Sequence, residues 1–569
     1  MQLIRRLRVP ALFCSLAVLL CELISHPYAE MGIADDSSFI RSAQQLATTG
    51  HIFYNGWATP ILGWQLYVAA AFIKLFGFSF TTARMSTLVV AMALAFLLQR
   101  TLVRAGINER NATLGTLAFV LSPPYLAISV TFMTDITGLF GIVICLYGCL
   151  RALQASTTRA TIAWICFAVL SNAICGSSRQ IAWLGILVMV PSTLWLLRSR
   201  RSVLLSGAAA TFAGALFILA CLQWFKHQPY SIPEHLLPDS FPVVHTLLAF
   251  SYALLDLPCL LLPIVLLFVP QLRKSRPRTI AIVAILLFGY LFLALYPSHL
   301  RGNFPLEPTA QGNFAHNFTC LPGEEPPFLN RAAWAFFTLL AIAGLLAVIV
   351  SLLQSLRSKS SELSTTGISW NQLRVLTGSF TLVYILLLVP RATTVPIYER
   401  YTLPLLVVAL LCLVRFYQDR IHPQLPFAII LPIAIMAILG IAVTHNTFAL
   451  FRARVALAAE LNANGVPNTS VDNGWEYNFG VELQHSAYLN DPRITIPAHA
   501  YIPMIPLPAS TCHVTLADHT PHIHPLYGVS FTPNACYGPA PFAPVHYSRW
   551  PYRTPGTLYV VNYLAPTKP

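Results

Sequence analysis

Asp35 and Asp36 stand side by side in MGIADDSSFIRSAQQLATTG, a polar stretch that follows the first apolar run of the chain. A carboxylate at a water-facing edge can take a proton from a hydroxyl or amine, and a pair of them can hold a divalent cation. Asp36 or Ser37 can instead cap the helix read next. Its apolar residues Phe39, Ile40, Ala43, Leu46 and Ala47 recur every three or four positions, and Gly50 closes it. One acid can cap while the other does chemistry. Asp135, in FMTDITG, opens a later apolar run and carries the same two readings. Arg179, in CGSSRQIAW, is expected on the same side of the membrane and is a candidate partner for Asp135.

A second set is cationic. Arg301 and Arg331 flank one outer loop, and Arg391 and Arg400 flank PRATTVPIYERYTLP, which also holds Glu399 and Tyr401. Planar guanidinium groups grip phosphate through paired N–H donors, which makes the set a candidate substrate site. For any single arginine, reaching toward lipid headgroups or pairing with Glu399 is the simpler role. The run DHTPHIHP offers Asp518, His519, His522 and His524 without a zinc-site spacing, and is read as a solvated loop. The chain has no P-loop, GxSxG, HExxH or dinucleotide fingerprint.

These residues are set in an almost wholly apolar chain. Hydrophobic residues make up 56% and charged residues 10%, against about 25% charged in a typical soluble protein. The net charge of +14 does not point to nucleic acid, because Arg and Lys fall in short gaps between apolar runs, such as Arg198, Arg200, Arg201 and Arg273, Lys274, Arg276, Arg278. That is the positive-inside pattern of a multi-span membrane protein. The MQLIRRLR start and the run after it are read as an uncleaved first span. Spans of about 20 residues are expected near 9–25, 84–101, 112–130, 136–153, 160–177, 181–197, 203–224, 242–269, 279–297, 332–354, 373–390, 402–416 and 426–443, thirteen in all. The run 61–77, interrupted by Gln65 and Lys74, is read as interfacial or re-entrant. This reading divides the chain at 1–443 and 444–569. It places the amino terminus inside the cell, and the loop 26–83 with a small α/β or irregular carboxy-terminal unit outside. Cys512 and Cys536 lie in that unit, where a disulfide is allowed.

The ordered motifs resemble the C-type (GT-C) membrane glycosyltransferases, in particular glycosyltransferase family 39, which includes protein O-mannosyltransferases and lipid A aminoarabinose transferases. ADDSSFIRSAQQLATTG looks like that family's acidic pair and interfacial helix, and TPILGWQLYVAAAFIKLFGFSFTTARMSTLV is similar to the segment that follows. FMTDITG, YERYTLPLL and VDNGWEYNFG resemble later family segments. The likeness is strongest over roughly the first 150 residues. Two features depart from the pattern: Asp-Asp replaces the commoner Asp-Glu, and a single Pro60 replaces a proline pair.

The resemblance implies an all-α, polytopic plasma-membrane enzyme of the cell envelope. It would transfer a sugar from a polyprenyl-phosphate to a lipid, glycan or protein acceptor on the outer face. It implies Asp35 as base or acceptor-positioning acid, assisted by Asp36 and Asp135. Arg301, Arg391 and Arg400 are candidates for the lipid phosphate by charge and side, and a divalent metal at Asp35 and Asp36 stays open. A transporter or lipid flippase, or a noncatalytic scaffold of the same fold, are the alternatives. The acids sit mostly at the outer edge, whereas transport sites favour the membrane midplane.

Overall fold

The computed structural model describes residues 9–233, 241–295, 320–357, 367–391, 393, 397–503, 507–508 and 511–564. The apolar runs form helices throughout. They are α1 (Val9–Ser25), α2 (Asp36–Thr49), α3 (Gly63–Phe76), α4 (Phe80–Arg104), α5 (Glu109–Val120), α6 (Pro123–Ser129), α7 (Thr134–Gln154) and α8 (Thr158–Gly176). After them come α9 (Val190–Leu196), α10 (Arg201–Lys226), α11 (Val243–Leu260), α12 (Leu262–Val265), α13 (Pro277–Leu295), α14 (Arg331–Arg357), α15 (Trp370–Arg391), α16 (Glu399–Arg420) and α17 (Ile430–Ala463). The chain is a helical, multi-span membrane protein with a small sheet unit at its end.

Length and apolarity of the described helices do not by themselves fix the expected count of thirteen spans. Among the described residues eight helices are long and apolar enough to cross a membrane, or nine if α5 and α6, bent by 69°, count as one span. The bend falls at Ser122, where Pro123 and Pro124 remove the amide donors that a continuous helix needs. Val9–Ser25, Gly63–Phe76, Gln180–Leu196 and Pro277–Gly289 are apolar but shorter. The awkward run 61–77 becomes α3, whose 14 residues span about 21 Å, less than a bilayer core of about 30 Å. Gln65 on that helix is buried: its amide donates to the Phe132 carbonyl at 3.1 Å and its oxygen accepts from Thr137 at 2.7 Å.

Gly50 ends α2 as expected, with φ of 77° and its N–H on the Leu46 carbonyl. Residue 443 lies inside α17, which runs unbroken to Ala463. Beyond it come β1 (Val471–Asp472), α18 (Trp475–Ser486), β2 (Tyr527–Ser530), β3 (Val545–Tyr547) and β4 (Gly556–Asn562). The sheet order is β1-β2-β4-β3, with β1 parallel to β2 and the other pairs antiparallel. Cys512 and Cys536 form a disulfide there.

Among the described residues this tail unit is fastened to the rest of the chain at several places, of which three bear on the site. The fully buried Arg454 of α17 donates to Asn473 and to Glu476. His445 stacks on Trp550 at 3.9 Å and meets the Ser548 hydroxyl. The loop after α2 forms the third fastening, with Leu489 donating to the Asn55 carbonyl at 2.8 Å. At Gly56, with φ of 80°, a Cβ would lie 2.3 Å from the Leu489 carbonyl oxygen. Gly56→Ala is therefore expected to loosen this docking and cost about 2 kcal/mol, read as a lower midpoint of thermal unfolding in detergent.

Candidate active site

The two adjacent acids have opposite fates. Asp36 and Arg84 form an ion pair with no exposed side-chain surface, with Arg84 Nε 2.8 Å from Asp36 Oδ2. Arg84 also donates to the Ala29 carbonyl at 2.8 Å and the Met31 carbonyl at 2.6 Å. Asp36 accepts further from the Ile33 and Phe132 backbone N–H groups. One guanidinium thereby joins the end of the first span, the start of α2 and the turn before α7. Both oxygens of Asp36 are occupied, so it is placed as a clamp.

Asp35 occupies the N-cap position of α2 but makes no capping hydrogen bond. Its side chain is 29% exposed. Oδ1 accepts from the Trp57 indole N–H at 3.0 Å, and Oδ2 lies 3.8 Å from Arg400. The indole is held by rings of the tail unit: Phe479 at 4.7 Å, His519 at 5.5 Å and Trp475 at 6.0 Å. His519 of the DHTPHIHP run is thus part of a wall rather than of a solvated loop. Its Nε2 is 3.3 Å from Asp491, which Arg493 also grips.

Facing Asp35 is a cationic cluster built on one ring. Arg179, Arg400 and Arg391 place their guanidinium carbons 5.1, 5.4 and 5.9 Å from the centre of the Tyr401 ring. Tyr384 steadies the start of α16 by donating to the Tyr401 carbonyl at 2.8 Å, and Arg400 also lies over Tyr398 at 4.8 Å. Asp135, on the first turn of α7, pairs with Arg179 as the sequence suggested. Gly138 makes room for that arginine, since a Cβ there would sit 3.0 Å from its Cδ. Asp135 Oδ2 and Glu399 Oε2 are buried and have no hydrogen-bond partner among the described residues.

Asp35, Asp135, Arg179, Arg391, Glu399, Arg400 and Tyr401 therefore gather around one end of α16. Arg301 lies outside the described residues. Asp35 and Asp36 do not fit a two-carboxylate metal site, because Arg84 and two backbone amides take up Asp36. Among the described residues no group of three His, Cys, Asp or Glu side chains is placed to hold a metal. Sequence reasoning did not single out Trp57, Tyr384, Tyr398 or Arg84. The alternation of Trp57 with Phe53 and Tyr54 in HIFYNGW was the available signal for an aromatic docking loop.

Removing one partner of a buried ion pair leaves the other charge unpaired, at a cost of about 3–5 kcal/mol. Arg84→Ala is expected to lower stability on that scale, whereas Asp35→Asn should change it by less than about 0.5 kcal/mol; thermal unfolding of the two variants separates them. Acid should also loosen the tail wall. Burial works to raise the Asp491 carboxyl, but His519 and Arg493 hold it well below the usual carboxylate range. A depressed folded-state value contributes stability that is present above about pH 4 and lost as pH falls toward it. Tryptophan fluorescence should report that loss below about pH 4, and Asp491→Asn should blunt its pH dependence.

No protein-family model matches the chain, and no curated protein matches it. Among solved structures, the Archaeoglobus fulgidus oligosaccharyltransferase in its apo form is 13% identical over 90% of this chain and 69% of its own, with a TM-score of 0.43. ArnT from Cupriavidus metallidurans bound to undecaprenyl phosphate is 13% identical over 79% of this chain and 71% of its own, with a TM-score of 0.40. The S. cerevisiae protein O-mannosyltransferase Pmt1-Pmt2 complex bound to the sugar donor is 15% identical over 38% of this chain, with a TM-score of 0.31. The chain spans 33% of the length of that last protein.

Proposed function

We propose that this chain is a membrane glycosyltransferase that moves a sugar from a polyprenyl-phosphate donor to a lipid, glycan or protein acceptor at the outer membrane face. One observation carries the reading: a partly exposed carboxylate, Asp35, faces Arg179, Arg391 and Arg400 gathered on Tyr401. The reaction needs those two parts. An acceptor hydroxyl or amine attacks the anomeric carbon, its proton passes to Asp35, and the bond from carbon to phosphate oxygen breaks. The electron pair leaves with the phosphate, whose growing charge the guanidinium groups neutralise. A single in-line attack inverts the anomeric carbon. Asp135 assists by setting Arg179, and Asp36 serves as the clamp that fixes the turn carrying Asp35.

Two features support an outward-facing site. The Cys512–Cys536 disulfide belongs to the unit that walls Trp57, and disulfides persist on the oxidising side of a membrane. At the opposite end of α16, Arg415 donates to the Ala105 and Ile368 carbonyls, close to the basic loops expected inside.

The test is a transfer assay with purified protein, a panel of radiolabelled polyprenyl-phosphate sugars and membranes as acceptor. Wild type should consume one donor, and Asp35→Asn should slow it at least about a hundredfold while remaining folded. Arg400→Gln should raise the donor KM by about tenfold or more, as loss of a charge-assisted contact does. Folded wild type that consumes no donor would overturn the reading.

A further inference from the structure

The reactive carboxylate is not held by the helices alone. Asp35 has two near neighbours among the described residues, and the one within hydrogen-bond distance, the Trp57 N–H, belongs to a loop without secondary structure of its own. Asn55 is bonded to Ser38 of α2, and the rest of the shape around Trp57 comes from the tail unit. Leu489 holds Asn55, the Tyr230 carbonyl accepts from Gly56, and Tyr230 itself donates to Ile496 of the tail. Trp475, Phe479 and His519 then box the indole ring. His519 is fixed in turn, because its backbone carbonyl accepts from Asn490 and its Nε2 meets Asp491, which Arg493 grips with two nitrogens.

We infer that Trp57 and His519 are positioning residues through which the tail unit sets the orientation of the Asp35 carboxylate. This rests on the reading of Asp35 as the base. Four consecutive contacts connect the two: Arg493 to Asp491, Asp491 to His519, the His519 ring against the indole, and the indole N–H to Oδ1. The indole N–H on Oδ1 fixes the rotation of the carboxylate, and leaves Oδ2, beside Arg400, as the oxygen that receives the proton. Neither Trp57 nor His519 needs to touch substrate. The other charged or titratable groups around Asp35 are Arg400 and Tyr398 from the start of α16, Arg391 beyond them, and the Asp36–Arg84 pair behind.

The test reads Asp35 directly, without a sugar donor. Full-length protein in detergent is labelled at one fixed pH with a water-soluble carbodiimide and an amine, and the Asp35 peptide is followed over time by mass spectrometry. Asp36, with no exposed surface, serves as the internal control. Trp57→Phe keeps the ring in its box and removes the N–H. Freeing Oδ1 should raise the Asp35 labelling rate by about threefold or more and lower kcat by about tenfold, with donor KM little changed. His519→Leu, which removes one wall of the box, should change the rate the same way by a smaller amount. It also carries the decision if Trp57→Phe fails to fold. Folded variants whose Asp35 is labelled as in wild type would overturn the inference. A changed labelling rate in a protein that transfers no sugar would overturn the base assignment instead, so the two failures are distinguishable.

Discussion

A guanidinium with no surface of its own holds the membrane face of this protein together. Arg84 reaches two carbonyls at the exit of the first span and both oxygens of Asp36, and Asp36 in turn takes the Phe132 amide ahead of α7. A charge of that kind is tolerable in a low-dielectric interior only when every donor has an acceptor. The turn 29–36 is therefore over-determined, and Asp35, one residue before the clamp, has its backbone fixed while its side chain stays uncommitted. The pair divides labour: the buried acid supplies rigidity to the exposed one.

The same division recurs across the site. Asp135 is tied to Arg179, and Arg179, Arg391 and Arg400 converge on the Tyr401 ring from three separate elements. Cations brought together in this way repel one another. The electron-rich ring face and the neighbouring carboxylates offset part of that repulsion, and a bound anion would offset more. Convergence of that sort is costly without a ligand, which is why it weighs more than any one arginine on its own.

Much of this was legible in the sequence, and the reasons differ by residue. The Asp135–Arg179 pair was readable because both residues stand at the same-side ends of neighbouring apolar runs. Gly50 was readable because helix ends favour a residue that adopts positive φ. The division between Asp35 and Asp36 was not, because Asp36's partner Arg84 lies 48 residues away and reads locally as the polar start of a span. The role of His519 was hidden for a similar reason: its ring is engaged by Trp57 from a distant outer loop, and nothing in DHTPHIHP announces an aromatic wall. Span number is harder to read, because proline-bent and short apolar helices such as α3 and the α5–α6 pair satisfy an apolar-run criterion without being straight, bilayer-long rods.

The length of α17 sets a ruler for the whole assembly. Its 34 residues correspond to about 51 Å, some 20 Å more than a hydrocarbon layer of about 30 Å. The sheet unit therefore follows a helix that is longer than a single bilayer crossing requires, carried on a continuous rod rather than on a tether.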